Sequence, residues 1–209
     1  VALTNGLGKS IQEITKPRSD GDQKYDSATF YSISNCQEGL SRVTLGNFLI
    51  KRVVFEIQEE LPNIKHFGTL SPIPGFRDWF SYLEDVKIKN ILGEVPIDNI
   101  SFLKSSDLKV GDPRIVANKV AITKLVAHYL MNEKNHKQLP INDVCRFHLG
   151  NGAIIDDIII NANVSEVGLN RSFGVMVNYL YELKNIEKNH EEYINNKTII
   201  ISDKLKKII

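Results

Sequence analysis

Apolar residues recur along the chain at two spacings, which predict strands alternating with helices. Short runs rich in β-branched and aromatic residues, each bounded by turn residues, predict strands. These runs lie at residues 1–4, 27–33, 64–70, 153–160 and 174–181. Stripes of apolar residues at helical spacing predict helices at 46–61, from Phe76 onward after two prolines, and at 118–133. We expect these stripes to pack in the core.

Polar stretches interrupt this pattern at two places, residues 16–26 and 185–197, and both are expected to be solvated loops. A turn and a short helix are expected near Ser10. No internal repeat is visible, and the strands beside each polar stretch are too short to found separate cores. The alternation therefore predicts an α/β (α+β) fold, a single domain over residues 1–209 with helices on the faces of one sheet.

Composition excludes several classes of partner. The 26 Lys and Arg against 25 Asp and Glu leave a net charge of +1, which gives no overall attraction to nucleic acid or a membrane surface. No apolar run approaches the ~20 residues that span a bilayer. Cys36 and Cys145 have no metal-type spacing and predict free thiols in a reducing compartment. Because the sequence opens at Val1, we expect a fragment or a processed chain whose N-terminal address lies outside it.

A glycine-containing stretch at residues 37–47 follows a predicted strand and leads into the predicted helix at 46–61. Free backbone N–H groups at a helix N-terminus, with the helix dipole behind them, favour an anion such as the pyrophosphate of coenzyme A or a nucleotide. Arg42, Lys51 and Arg52 are candidates for additional charge-assisted contacts. An ordinary connection between a strand and a helix explains the same pattern.

Two further segments place a hydroxyl and an imidazole beside residues that fix the backbone. Ser71 precedes Pro72 and Pro74, and its hydroxyl is expected near the start of the next helix. His148 is expected in a loop before a Gly-Asn-Gly turn, framed by apolar neighbours. Imidazole exchanges protons near neutral pH, so the two side chains are a candidate acid/base pair. The alternatives are a capping serine and a hydrogen-bonded core histidine.

Taken together, these segments resemble the C-terminal catalytic domain of the malonyl-CoA decarboxylase family. The resemblance runs from end to end and fails mainly in the two polar stretches. Two irregular strings are the most specific: Leu-Ser-Pro-Ile-Pro-Gly-Phe at 70–76 and Arg-Phe-His-Leu-Gly-Asn-Gly-Ala at 146–153. The other matching segments lie at residues 1–4, 30–34, 37–40, 45–51 and 176–181.

The resemblance implies a domain similar to the acetyltransferase (GNAT) fold, with a mixed central sheet and helices on both faces. It implies a carboxy-lyase of fatty-acid and malonate metabolism that converts malonyl-CoA to acetyl-CoA and CO2. No separate cofactor or metal is implied, because coenzyme A enters with the substrate. The family's catalytic Ser and His fall on Ser71 and His148. Its acyl-CoA-binding positions fall on Ser32, Ser41, Arg42, Val43, Thr44, Leu45, Gly46, Asn47 and Tyr181.

Several expectations follow from the family rather than from the residues. The family carries a helical N-terminal domain, which this sequence lacks, and a homo-tetramer is expected when that domain is present. Some members have an acidic residue at the position of Thr44. The expected compartment is the cytoplasm, with the mitochondrial matrix or the peroxisome as alternatives in a eukaryote. Two rival functions share the same segments: a coenzyme-A-dependent acetyltransferase with an amine or alcohol acceptor, and a non-catalytic acyl-CoA-binding domain.

Overall fold

A computed structural model describes residues 1–16, 24–33, 46–96 and 100–209. The strands are β1 (Ala2–Thr4), β2 (Ser27–Phe30), β3 (His66–Thr69), β4 (Ser71–Pro72), β5 (Ile154–Ile159) and β6 (Met176–Leu180). The helices are α1 (Ile11–Ile14), α2 (Gly46–Glu60), α3 (Phe76–Ser81), α4 (Asp85–Leu92), α5 (Pro113–Ala117), α6 (Lys119–Met131), α7 (Asp143–Gly150), α8 (Glu166–Ser172), α9 (Ile186–Asn196) and α10 (Asp203–Lys206). A short 3-10 helix spans Ser101–Lys104.

The strands form a mixed sheet in the order β1-β2-β3-β6-β4, and β5 also pairs with β6. Strand β1 runs antiparallel to β2, with Ala2 opposite Thr29. Strands β2 and β3 are parallel, and β3 runs antiparallel to β6 with Gly68 opposite Leu180. Parallel neighbours need a crossover connection. Helix α2 lies in that connection, which explains the long apolar stripe between these two strands.

The chain divides into two compact units. Unit 1 comprises residues 1–71, 147–155 and 178–200, and its buried apolar side chains include Ile50, Val54 and Phe67. Unit 2 comprises residues 72–146, 156–177 and 201–209. In its core the ring of Phe173 meets the rings of Phe76 and Phe80 edge-on, each at 5.9 Å between centroids. The single domain expected over residues 1–209 stays a prediction.

Helices with long apolar stripes lie where the sequence predicted them. Helix α2 ends at Glu60, α3 begins at Phe76 after the two prolines, and α6 occupies the third predicted segment. Ser10 caps α1, because its hydroxyl accepts a hydrogen bond from the Glu13 N–H. The predicted strands are present but shorter by one to three residues at their ends. The polar stretch at 16–26 lies partly outside the described residues.

Residues 185–197 were expected to be a solvated loop, and that prediction is wrong. Helix α9 occupies this stretch and buries Ile186, Asn189 and Tyr193, which recur at helical spacing on one face. The side chain of Asn189 donates to the Gly152 carbonyl at 3.2 Å. The remaining Asn, Glu and Lys residues of this stretch lie outside the narrow buried stripe and conceal it in the sequence.

None of the helices in the described ranges combines the length and the apolar character needed to cross a membrane. Within the same ranges, no group of three or more His, Cys, Asp or Glu side chains is placed to hold a metal ion.

Candidate active site

Ser71 is the first residue of β4 and is buried, with 5% of its surface exposed. Side chains two positions apart in extended chain point to the same side. The Ser71 hydroxyl accordingly meets the side chain of Thr69 and donates a hydrogen bond to Thr69 Oγ1 at 2.8 Å. Thr69 Oγ1 also accepts a hydrogen bond from the backbone N–H of Tyr179 at 3.3 Å.

His148 lies in the last turn of helix α7, so the loop expected around it is wrong. The helix has eight residues, which is too short for its apolar pattern to show a clear period. Its carbonyl end closes in a turn, where the His148 carbonyl accepts from the N–H groups of Asn151 and Ala153, both at 3.1 Å. Gly152 ends this turn with a φ of +80°, a conformation that favours glycine.

The structure brings Ser71 and His148 together although they are 77 positions apart: Ser71 Oγ lies 3.0 Å from His148 Nε2. The other ring nitrogen, Nδ1, lies 2.8 Å from the hydroxyl of Tyr181. Thr69, Ser71, His148 and Tyr181 thus form a continuous buried row of polar groups, called here the hydroxyl–imidazole chain. All four residues belong to unit 1.

Burial keeps the hydroxyl–imidazole chain electrically neutral. Desolvation lowers the pKa of His148 to about 3 and raises the pKa of Tyr181 above its ordinary value. The Tyr179 ring stacks on the imidazole, with 4.5 Å between centroids and 25° between planes. The Phe147 ring meets the imidazole edge-on at 5.1 Å. At neutral pH the site therefore holds an uncharged imidazole with one N–H and an uncharged phenol.

The buried side-chain amide of Asn178 holds the backbone next to the hydroxyl–imidazole chain. The Asn178 side chain donates to the Thr69 carbonyl at 2.7 Å and to the Gly8 carbonyl at 3.0 Å. Its exposed fraction is 1%, so both hydrogen bonds are shielded from water. Sequence reasoning named neither Asn178 nor Thr69. The position of Thr69 two residues before Ser71 in extended chain was the available signal.

The remaining predicted site residues stay predictions. Ser32 is exposed beyond the end of β2 and takes no part in the hydrogen bonds described above. Gly46 and Asn47 open helix α2, as the proposed anion site requires, but the Asn47 side chain is not among those described. Ser41, Arg42, Val43, Thr44 and Leu45 lie outside the described residues.

The two basic residues on α2 that were considered for an anion site are both held by carboxylates. Lys51 Nζ lies 2.6 Å from Glu187 Oε1, which joins α2 to α9 within unit 1. Arg52 pairs with Glu56 one turn later on the same helix, at 2.6 Å. Exposed pairs of this kind are weak, so either cation can still turn to a stronger anion such as a phosphate.

The sequence profile of the malonyl-CoA decarboxylase C-terminal domain matches residues 1–209. The chain belongs to the malonyl-CoA decarboxylase family. It is 37% identical to the mitochondrial malonyl-CoA decarboxylase of Rattus norvegicus, over 100% of this chain and 47% of the relative. The mitochondrial enzyme of Anser anser anser is 36% identical over 98% of this chain and 45% of the relative. The chain thus spans about half the length of these relatives.

Solved structures of the family agree in fold. The crystal structure of malonyl-CoA decarboxylase from Rhodopseudomonas palustris superposes with a TM-score of 0.87 at 35% identity, covering 99% of this chain and 48% of that chain. The corresponding structure from Agrobacterium vitis gives a TM-score of 0.83 at 34% identity, covering 99% of this chain and 51% of that chain. The predicted fold class, mixed α/β with a mixed sheet and a GNAT-like architecture, is confirmed.

The buried imidazole makes stability depend on pH. The pKa of His148 falls from an ordinary 6.5 to about 3 on folding. Between these values the unfolded state binds more protons than the folded state, so stability falls as the pH falls. The contribution of His148 is a loss of about 2 kcal/mol between pH 7 and pH 5.

Urea unfolding at pH 7 and pH 5 measures this loss. His148→Gln is expected to lose less stability than the wild type over this interval, because glutamine does not titrate. The matched control is His136→Gln, since the side chain of His136 is exposed. Equal pH dependence in the wild type and His148→Gln would contradict a neutral buried imidazole.

Proposed function

We propose that this chain supplies the catalytic domain of a malonyl-CoA decarboxylase, which converts malonyl-CoA to acetyl-CoA and CO2. Membership of the family supports the proposal. The observation that carries it is the 3.0 Å contact between Ser71 Oγ and His148 Nε2 inside a buried row of neutral donors and acceptors. A shielded pair of this kind suits the transfer of one proton without stabilising a charge in the resting state.

The reaction sets three requirements. The bond between the carboxylate carbon and the methylene carbon breaks, CO2 leaves, and the electron pair becomes an enolate on the thioester. The enzyme must hold the carboxylate, place donors near the enolate oxygen, and supply one proton to the carbon that becomes the methyl group. The thioester itself accepts the electron pair, so we propose that the reaction needs no separate cofactor.

The roles are assigned within the hydroxyl–imidazole chain. His148 donates its Nε2 proton to the carbon that becomes the methyl group, and Ser71 accepts a hydrogen bond from His148 and is a hydrogen-bond partner of the malonyl group. A thioester enolate is a strong base, so it can take a proton from a neutral donor. Tyr181, whose hydroxyl lies 2.8 Å from Nδ1, fixes the orientation of the ring. The imidazole regains its proton from water before the next turnover.

Coenzyme A binding is assigned to the predicted loop before α2 and to the first residues of that helix. We propose that backbone N–H groups at the N-terminus of α2 hold the phosphates of coenzyme A. This assignment rests on the family and on the helix start observed at Gly46. The residues proposed to contact the acyl-CoA are Ser32, Ser41, Arg42, Val43, Thr44, Leu45, Gly46, Asn47 and Tyr181.

Three further properties belong to the proposal. We propose an acyl-CoA as the small-molecule partner, with neither nucleic acid nor a membrane surface as partner. Assembly as a homo-oligomer when the N-terminal domain is present, a tetramer in the family, is part of the same proposal. The two relatives named above are mitochondrial by name. We propose the cytoplasm as the compartment, with the mitochondrial matrix or the peroxisome as alternatives in a eukaryote.

Incubation of the purified protein with malonyl-CoA alone tests the activity. We expect acetyl-CoA and CO2 in equal amounts, with no added acceptor. Acetyl transfer that appears only when an amine or alcohol is present would indicate an acetyltransferase instead. Saturable binding of malonyl-CoA without any product would indicate a non-catalytic acyl-CoA-binding domain. Ser71→Ala is the matched variant and is expected to lower kcat more than it weakens acyl-CoA binding.

A further inference from the structure

Thr69 is the terminal residue of the hydroxyl–imidazole chain, next to Ser71, and is fully buried. Its hydroxyl oxygen accepts hydrogen bonds from Ser71 Oγ and from the Tyr179 N–H. Its carbonyl accepts from the Asn178 side chain at 2.7 Å. These contacts fix the Thr69 backbone and hydroxyl oxygen from three directions, all within unit 1. Thr69 is therefore a rigid acceptor for the proton of Ser71.

We propose that Thr69 is a positioning residue that holds His148 in the tautomer with its proton on Nε2. Ser71 has a single hydroxyl proton, and that proton is donated to Thr69 Oγ1. The contact between Ser71 Oγ and His148 Nε2 then needs a proton from the imidazole. A neutral imidazole carries one N–H, so the proton lies on Nε2 and Nδ1 accepts from the Tyr181 hydroxyl.

The direction of these hydrogen bonds determines what His148 can do. With the proton on Nε2, the imidazole faces Ser71 as a donor, which is the role assigned to it above. If the Ser71 proton pointed to Nε2, the imidazole proton would move to Nδ1 and His148 would face Ser71 as a base. In this respect the inference rests on the proposed function, whereas the tautomer itself does not depend on it.

Thr69→Val removes the acceptor and keeps the shape of the side chain. The Ser71 proton is then free to turn to Nε2, and the expected result is the reversed tautomer with the proton on Nδ1. Thr69→Ser keeps a hydroxyl at the same place and is the matched control, expected to retain the proton on Nε2. Thr69→Ala removes the same hydroxyl with less steric demand and serves if the valine variant does not fold.

The test is 15N NMR of the histidine-labelled protein without substrate at pH 7, where the two ring nitrogens report the tautomer. The His148 signals are assigned by their loss in His148→Gln. We expect a protonated Nε2 in the wild type and Thr69→Ser, and a protonated Nδ1 in Thr69→Val and Thr69→Ala. A wild type with its proton on Nδ1 would overturn the proposal, as would hydroxyl-free variants that keep it on Nε2.

Kinetics with malonyl-CoA provide the second readout. We expect Thr69→Val to lower kcat about tenfold or more with KM nearly unchanged, and Thr69→Ser to stay close to the wild type. A reversed tautomer with unchanged kcat would overturn the catalytic part of the proposal. A wild type that releases no CO2 would instead refute the proposed function, while the tautomer would still be measured.

Discussion

His148→Gln is expected to lower kcat for CO2 release by about 10²–10⁴-fold, the range that a positioned general acid contributes. Glutamine is close to histidine in size, but its amide is not an acid that can protonate an enolate carbon. Binding of acyl-CoA should change little, because the imidazole is buried and the proposed coenzyme A contacts lie elsewhere. The measurement is steady-state kcat and KM with malonyl-CoA.

Loss of folding must be separated from loss of chemistry in this experiment. His148 makes two buried hydrogen bonds, so we expect His148→Gln to lose about 1–3 kcal/mol of stability at neutral pH. Thermal unfolding followed by circular dichroism shows whether the variant is folded at the assay temperature. His136→Gln, at an exposed position, should keep the wild-type kcat. A folded His148→Gln protein with wild-type turnover would remove His148 from the mechanism.

Gly152→Ala is expected to destabilise the protein by at least about 3 kcal/mol, the largest stability effect predicted here. Gly152 has a φ of +80°, and a Cβ built on it would clash with the backbone carbonyl oxygen of Ile186 at the start of α9. A backbone oxygen cannot move aside as a flexible side chain can. Either α9 or the turn after His148 must shift. Urea unfolding at pH 7 measures the change.

Gly111→Ala is the matched control for the contact. Gly111 has a similar φ of +75°, but no atom lies within 4 Å of a Cβ added there. It therefore measures the strain of the backbone conformation alone, about 1 kcal/mol. The difference between the two variants isolates the clash with Ile186. An equal loss of stability in both variants would contradict the close approach of Ile186 to Gly152 that the structure shows.

The sequence alone was sufficient to predict the long helices α2 and α6 and to single out Ser71 and His148. Long apolar stripes predicted α2 and α6, since many apolar residues at helical spacing leave a visible period in the sequence. Helix α9 was missed because only a narrow stripe of it is buried among charged residues. Helix α7 was missed because eight residues show too few repeats, although the glycine that ends it was visible.

The candidate site could be predicted in part for a related reason. Ser71 and His148 stood out because prolines and glycines around them fix the backbone, and Tyr181 came from the resemblance. Thr69 and Asn178 did not stand out, since hydroxyl and amide residues are common in strands. Their importance comes from contacts across the sheet, such as the 109 positions that separate Asn178 from the Thr69 carbonyl. Contacts of this kind depend on strand order, which periodicity does not give.

The 77-residue gap between Ser71 and His148 also bears on how the protein is made. The hydroxyl–imidazole chain cannot assemble locally, because three remote stretches of backbone must first converge and lose the entropy of the loops between them. A product of premature termination upstream of Tyr181 would lack the phenol altogether. The hydroxyl–imidazole chain is thus complete only after Tyr181 has been synthesised and the strands have paired.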